Sequence, residues 1–217
     1  MIVITGIYYA LGMAAAGAFI AWIVSPWAAI PLWILALFCL YFFRDPEREI
    51  PSGPVAVSPA DGKVVAVKLE TPTHRRISIF LNVFDVHVNR TPIGGTIAKV
   101  HYQPGAFHVA SREECSVRNE QNVVTVQDNG TTVVFKQIAG LIARRIVFNK
   151  KPGDCVSLGE RIGLIRFGSR CDVLFGPEWE IVVSPGMRVA AGSSVIARRR
   201  VMDEKRVMEK KDASDGA

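Results

Sequence analysis

Pro152-Gly-Asp-Cys-Val-Ser-Leu-Gly-Glu-Arg-Ile162 and Pro185-Gly-Met-Arg-Val-Ala-Ala-Gly-Ser-Ser-Val195 share the pattern P-G-x-x-V-x-x-G-x-x-[IV]. A Pro-Gly pair makes a tight turn, the valine starts a short strand, and the second glycine turns the chain again. One hairpin unit is therefore written twice. Upstream of it lie β-branched runs of the same kind: Val55-Ala-Val57, Val64-Val-Ala-Val67, Ile77-Ser-Ile-Phe-Leu81, Val123-Val-Thr-Val126 and Thr132-Val-Val-Phe135. Gly, Pro, Asp and Asn break these runs, and Asp128-Asn-Gly130 has the composition of a two-residue hairpin turn. The spacing predicts a mostly β domain over residues 55–197. Asn119–Asn122 and the adjacent Ser111-Arg-Glu-Glu114 fit either a short helix or a loop. Arg166-Phe-Gly-Ser-Arg170 falls in the connection between the two equivalent units.

The chain before this domain is of a different kind. Residues 1–43 contain no Asp, Glu, Lys or Arg, so the net charge of +6 is carried wholly by residues 44–217. Ser25-Pro26 divides this stretch into two apolar segments, each long enough to cross a hydrocarbon core of about 30 Å. Trp22, Trp27, Trp33 and Tyr41 suit the interfaces, so a two-segment helical membrane anchor is expected. With no basic start and so long an apolar stretch, the segment does not read as a signal peptide. Arg44 and Arg48 come directly after it while the turn is uncharged, which predicts that both ends, and the domain, lie on the cytoplasmic side of the cell membrane. Pro31 leaves a re-entrant hairpin open. Residues 44–54 read as a proline-punctuated linker and residues 198–217 as a charged flexible tail. A basic domain beside an apolar anchor suits an anionic membrane surface, and no nucleic-acid motif is present. Cys39, Cys115, Cys155 and Cys171 lack paired spacing, and His74, His87, His101 and His108 lack the spacing of a metal site, so neither disulfides nor metal is expected.

A Gly-Ser bond is the least hindered place for a serine hydroxyl to attack the preceding carbonyl. The amide becomes an ester, and elimination from the serine then releases the upstream chain and leaves a residue that hydrolyses to a pyruvoyl group, a carbonyl electron sink. On its own a Gly-Ser pair is an ordinary turn. Its setting here resembles the phosphatidylserine decarboxylase family in its short membrane-anchored form. The resemblance rests on Ser58-Pro-Ala-Asp-Gly-Lys63, Phe84-Asp-Val-His-Val-Asn-Arg-Thr-Pro92, Tyr102-Gln-Pro-Gly105, Asn119-Glu-Gln-Asn122, Gln137-Ile-Ala-Gly-Leu-Ile-Ala-Arg-Arg145 and Gly163-Leu-Ile-Arg-Phe-Gly-Ser-Arg170. Separately, the repeat looks like the hairpin unit of lipoyl- and biotinyl-type β-sandwiches, and Ser58–Lys63 resembles the start of such domains. A barrel or sandwich of these units is the expected architecture.

The resemblance implies self-cleavage between Gly168 and Ser169, giving a large chain 1–168 and a small chain 169–217. It implies a covalent pyruvoyl cofactor made from Ser169, which forms a Schiff base with phosphatidylserine and yields phosphatidylethanolamine and CO2. His87, in the Asp85-x-His87 match, is the implied proton donor and acceptor. Asp61 is the third candidate. Longer bacterial members use the matching aspartate to orient a histidine that activates the serine, but Arg90 stands where they carry a second histidine. Either His87 serves both steps, or Arg90 and Asp61 act electrostatically. Arg144, Arg145, Arg166, Arg170 and Arg90 are candidate phosphate-binding residues, arginine suiting a phosphodiester. Two other readings stay open: a non-catalytic membrane adaptor with a lipoyl-like domain, and a decarboxylase of a related serine-headgroup ether lipid.

Overall fold

The computed structural model describes residues 3–106, 115–140, 146–165 and 168–200. The apolar segments form α1 (Ile4–Ile23) and α2 (Pro26–Phe42), joined by Val24-Ser25. Ser25 ends one helix and starts the next, because its Oγ accepts the Trp27 N–H at 3.1 Å. The helices lie antiparallel, with Gly6 against Phe43 and Gly17 against Trp33. A Cβ at Gly17 would sit 2.6 Å from the Trp33 indole nitrogen, so close packing depends on that glycine. Most large side chains of the pair, Trp22 and Trp27 among them, are exposed. α1 is long and apolar enough to cross a membrane; α2 is shorter, at 17 residues.

The rest is mostly β, as the runs predict. Its strands are β1 (Val55–Val57), β2 (Gly62–Leu69), β3 (Arg75–Leu81), β4 (Val88–Arg90), β5 (Gly95–Gln103), β6 (Gln121–Asp128), β7 (Thr131–Ala139), β8 (Ile146–Phe148), β9 (Cys155–Val156), β10 (Arg161–Ile165), β11 (Ser169–Phe175), β12 (Trp179–Ile181), β13 (Arg188–Val189) and β14 (Val195–Arg199). Cys115–Arg118 forms a one-turn helix, α3, and Gln121-Asn122 already belongs to β6, whereas Ser111–Glu114 lies outside the described residues. An eight-stranded sheet runs β13-β2-β3-β11-β7-β6-β5-β9, flanked by two three-stranded sheets, β1-β14-β12 and β4-β10-β8. All strand pairings are antiparallel.

The strand order reads the same from both ends, because the domain is built of two like halves. In one, β1 pairs β14, β14 pairs β12, β13 pairs β2, and β2, β3 and β11 run side by side. In the other, β4 pairs β10, β10 pairs β8, β9 pairs β5, and β5, β6 and β7 run side by side. Details repeat. Ser58 Oγ donates to Ala60 O, and Thr91 Oγ1 to Ile93 O, both at 2.6 Å. A bulge comes after Val64 in one half and after Ile97 in the other. Gly62 (φ 151°) and Gly95 (φ 135°) each lie where a Cβ would strike a neighbouring carbonyl, Phe80 O or Gln127 O. The second half, β4 to β10, is inserted between β3 and β11 of the first. β6 and β7 are joined by the tight Asn129–Gly130 turn, whereas the connection from β3 to β11 is the entire inserted half.

The core between the sheets includes Ile77, Ile79, Leu81, Val124, Phe135, Cys171, Val173 and Phe175. The 44–54 segment is strapped onto it. Buried Asp45 accepts Arg90 at 3.1 Å and Arg161 at 2.5 Å, Arg48 pairs with Asp61 at 2.7 Å, and Ile50 packs beside Gly159 and Gly192. This segment fastens the helix pair to the domain.

Candidate active site

Ser169 opens β11, in the middle of the eight-stranded sheet, between Leu81 of β3 and Ala139 of β7. Alternation along β11 sends Ser169, Cys171, Val173 and Phe175 to the core face and Arg170 and Asp172 to the other. Ser169 is fully buried, and its Oγ has no hydrogen-bond partner among the described residues. A buried hydroxyl left unpaired costs about 1–3 kcal/mol. Gly168 just before it is left-handed (φ 61°), with open space where a Cβ would stand.

The duplicated half offers a built-in comparison. Thr131 opens β7 as Ser169 opens β11, and it too comes after a left-handed glycine, Gly130 (φ 77°). Thr131 Oγ1 is bonded to Glu178 and accepts from Trp179 Nε1 at 2.9 Å. One framework position thus holds a hydroxyl used for structure, and its counterpart holds one left unused. Pro54 precedes β1 as His87 precedes β4; Pro54 O accepts Arg199 N, and His87 O accepts Ile165 N. Gly94 stands where the other half has Asp61, each just before the glycine that opens its strand. Pro54, Gly94, Asp128, Asn129 and Trp179 line a single cleft of about 270 Å³ beside Thr131. The candidate residues Ser169, His87 and Asp61 stand at the positions that match Thr131, Pro54 and Gly94 by the internal symmetry, so titratable side chains replace the proline and glycine there.

His87 is almost fully buried. Its Nδ1 lies 2.9 Å from the Asp85 carbonyl, which can only accept, so Nδ1 carries the proton and Nε2 presents a lone pair. Nε2 has no partner among the described residues. Burial drives the His87 pKa down to about 4, with a smaller push from Arg44, against the pull of the Asp85 carbonyl and carboxylate. The imidazole is therefore neutral at pH 7. Phe42 covers one face of the ring, with centroids 4.2 Å apart and planes at 33°. The loop beneath is rigid: Asp85 Oδ2 accepts Asn82 N, Asn82 Oδ1 accepts Phe84 N, and Arg188 pairs with Asp85 Oδ1.

Asp61 is held elsewhere, one oxygen on Arg48 and the other accepting Ala191 N–H at 2.7 Å; no histidine contacts it among the described residues. Arg90 binds Asp45 and the Gly159 carbonyl. Arg170 is buried on the far face of β11, donating to Asp172 Oδ1 and to Ser78 Oγ, both at 2.7 Å. Asp172 also takes Arg76 at 3.2 Å and the Ser116 hydroxyl at 2.7 Å. Both arginines are thus committed to internal carboxylates. Arg144, Arg145 and Arg166 lie outside the described residues. On the Ser169 face a polar relay runs from Asn122 to Gln137, from Gln137 to Asn89 at 2.9 Å, and from Asn89 towards Cys171 and the Pro59 carbonyl. Burial pushes the Cys171 thiol far up, so it is inert there. Sequence reading left out this relay, although Asn89, Asn122 and Gln137 all stand in the quoted motifs. Phe42 it had only as anchor.

Comparison with known proteins bears on the same residues. The family model described as phosphatidylserine decarboxylase matches residues 35–197. The phosphatidylserine decarboxylase proenzyme of Solibacter usitatus (strain Ellin6076) is 75% identical over 198 residues, covering 91% of this chain and 97% of that protein. The proenzyme of Magnetococcus marinus (strain ATCC BAA-1437 / JCM 17883 / MC-1) is 43% identical, covering 87% and 89% respectively. That of Burkholderia cenocepacia (strain HI2424) is 47% identical over 176 residues, covering 78% and 82%. The chain belongs to the phosphatidylserine decarboxylase family.

Proposed function

We propose that this chain is a proenzyme that cuts itself between Gly168 and Ser169 and then converts phosphatidylserine to phosphatidylethanolamine and CO2. The observation that carries the proposal is the buried, partnerless Ser169 hydroxyl behind a left-handed glycine, set against its hydrogen-bonded counterpart Thr131. His87 Nε2 takes the hydroxyl proton as Oγ bonds to the Gly168 carbonyl carbon. The carbon–nitrogen bond breaks and the Ser169 nitrogen receives that proton. Loss of the Ser169 Cα proton then expels Gly168 as a carboxylate, and water releases ammonia to leave the pyruvoyl group. The site fits that group, since position 169 is walled by strands and needs no side-chain partner. Held at position 169 on β11, it would supply a carbonyl electron sink for the electron pair left as CO2 departs. His87, neutral at rest, accepts a proton from the incoming ammonium and returns it to the carbon that lost CO2. Asp61, through Arg48 and Ala191, positions the strap and the turn beside the site. Arg144, Arg145 and Arg166 are the arginines proposed for the phosphate.

Intact mass tests this. The purified protein gives two chains, residues 1–168 and a short chain whose first residue lacks an amine; a single uncut chain with decarboxylase activity overturns it. An uncut, inactive chain would instead support the adaptor reading.

The helix pair is proposed as a membrane anchor with the domain on the cytoplasmic side. Exposed Trp22 and Trp27 flank one end, and Tyr41, Arg44 and exposed Phe84 cluster at the other. Arg44 and Tyr41 both donate to the Phe84 carbonyl, which sets the His87 loop at the foot of the anchor. Protease added outside intact cells is expected to spare the domain, whereas digestion there contradicts this orientation.

A further inference from the structure

We propose that Phe42, the last residue of the anchor helix α2, is a positioning residue of the active site, so that the anchor forms one wall of the catalytic centre as well as a tether. This rests on the reading of His87 given above. The His87 ring is fixed from two directions. The Asp85 carbonyl holds Nδ1 at 2.9 Å, and the Phe42 ring lies against its face at 4.2 Å. Phe42 is itself only 1% exposed and is wedged by Phe43 (centroids 5.0 Å, edge-on) and Phe38 (6.0 Å). It shares an apolar cluster with Leu164, the neighbour of Ile165, whose N–H bonds the His87 carbonyl. The grip therefore reaches both the side chain and the backbone of His87.

The matching position across the internal symmetry shows what the framework looks like without it. At Pro54, the position matching His87, the cleft of about 270 Å³ is open. At His87 an aromatic from outside the duplicated domain covers the ring. A flat apolar surface on one face and the Nδ1 bond to Asp85 hold the imidazole, so its buried Nε2 has a fixed direction. It also keeps water off the ring. The charged groups that act on His87 are Asp85, which favours its proton, and Arg44, which disfavours it; Arg188 pairs with Asp85.

The test uses the full chain in detergent micelles and in phosphatidylcholine vesicles containing phosphatidylserine, with Phe42→Ala, Phe42→Leu, Leu37→Ala and His87→Ala. Two readouts are taken. Histidine-labelled NMR follows the His87 titration, assigned by its absence in His87→Ala, and steady-state kinetics separates kcat from KM. Phe42→Ala is expected to move the His87 titration up by at least about one pH unit, towards the ordinary histidine value near 6.5. It is also expected to lower kcat by about 10–100-fold, the scale of a misplaced catalytic group, with KM within about threefold. Phe42→Leu, which keeps bulk without the ring, should fall between the two. Leu37→Ala, also in α2 but exposed and outside the Phe42 cluster, should leave both readouts near the parent. Parental titration and kcat in Phe42→Ala overturn the inference, as does an equal change in Leu37→Ala. If Phe42→Ala does not fold, parental values in Phe42→Leu overturn it equally. A parent that does not decarboxylate, or a His87→Ala that does so at the parental rate, instead overturns the functional reading. The NMR arm stands apart from both.

Discussion

Ser169→Ala is expected to stay one chain of 23.8 kDa and to make no phosphatidylethanolamine above background. Without Oγ nothing attacks the Gly168 carbonyl and nothing at position 169 can become a carbonyl. The loss should be complete, not graded. Stability should move the other way. Ser169 Oγ is buried without a partner, so its removal takes away a desolvated polar atom and no hydrogen bond, and the melting temperature should hold or rise. Thr131→Ala is the mirror experiment. It removes a hydroxyl bonded to Glu178 and Trp179, so it should cost about 1–3 kcal/mol yet leave cutting and decarboxylation intact. Calorimetry and a gel on the two variants read both outcomes. A cut Ser169→Ala chain, or a Thr131→Ala chain that folds but stays uncut, would falsify the assignment of the nucleophile.

His87→Ala should lower decarboxylation by about 10²–10⁴-fold, the range of a general acid–base group. The two jobs separate on one gel and one assay. If the variant still cuts itself, His87 acts on substrate alone and maturation draws on other groups. If it stays whole, His87 also primes Ser169. Normal cutting with normal turnover would leave it as a packed core histidine. Its pH behaviour adds a further check. Because the folded pKa is about 4, below the unfolded value near 6.5, the unfolded chain binds this proton first as pH falls. Stability from this group is therefore full above about pH 6.5 and declines between about 6.5 and 4. The decline totals about 3 kcal/mol, and it should be absent from His87→Ala.

Much of this was legible in the sequence, for reasons that can be located. The β-branched runs between turn residues gave five strands in place, because alternate burial on a pleated sheet selects those residues directly. The two P-G-x-x-V units revealed a repeat but not its extent. Ser58–Gly62 and Thr91–Gly95 share one hydroxyl hydrogen bond and only the short pattern S/T-P-x-x-G, too brief to show how far the repeat extends. Gly168–Ser169 could be singled out because the proposed chemistry needs that pair. The arginines were not: a guanidinium in a motif looks the same whether it faces a ligand or, like Arg90 and Arg170, a buried carboxylate. Phe42 was hidden for a related reason. Among forty-three uncharged residues nothing marks the single ring that meets a histidine forty-five positions later.

The insertion of one half into the other bears on what a cut molecule can do afterwards. Residues 169–200 supply β11 at the centre of the eight-stranded sheet, β13 at its edge, and β12 and β14 in a flanking sheet. Once the Gly168–Ser169 bond is gone, these strands are tied to the rest only by ladders and packing, yet they cannot leave without opening the central sheet. Parting the two pieces and unfolding the domain are then the same event. Before the cut the sheet assembles within one molecule at a rate independent of concentration; after it, reassembly from unfolded pieces is a bimolecular encounter that dilution slows. A protein cut as proposed would thus be held by its unfolding barrier.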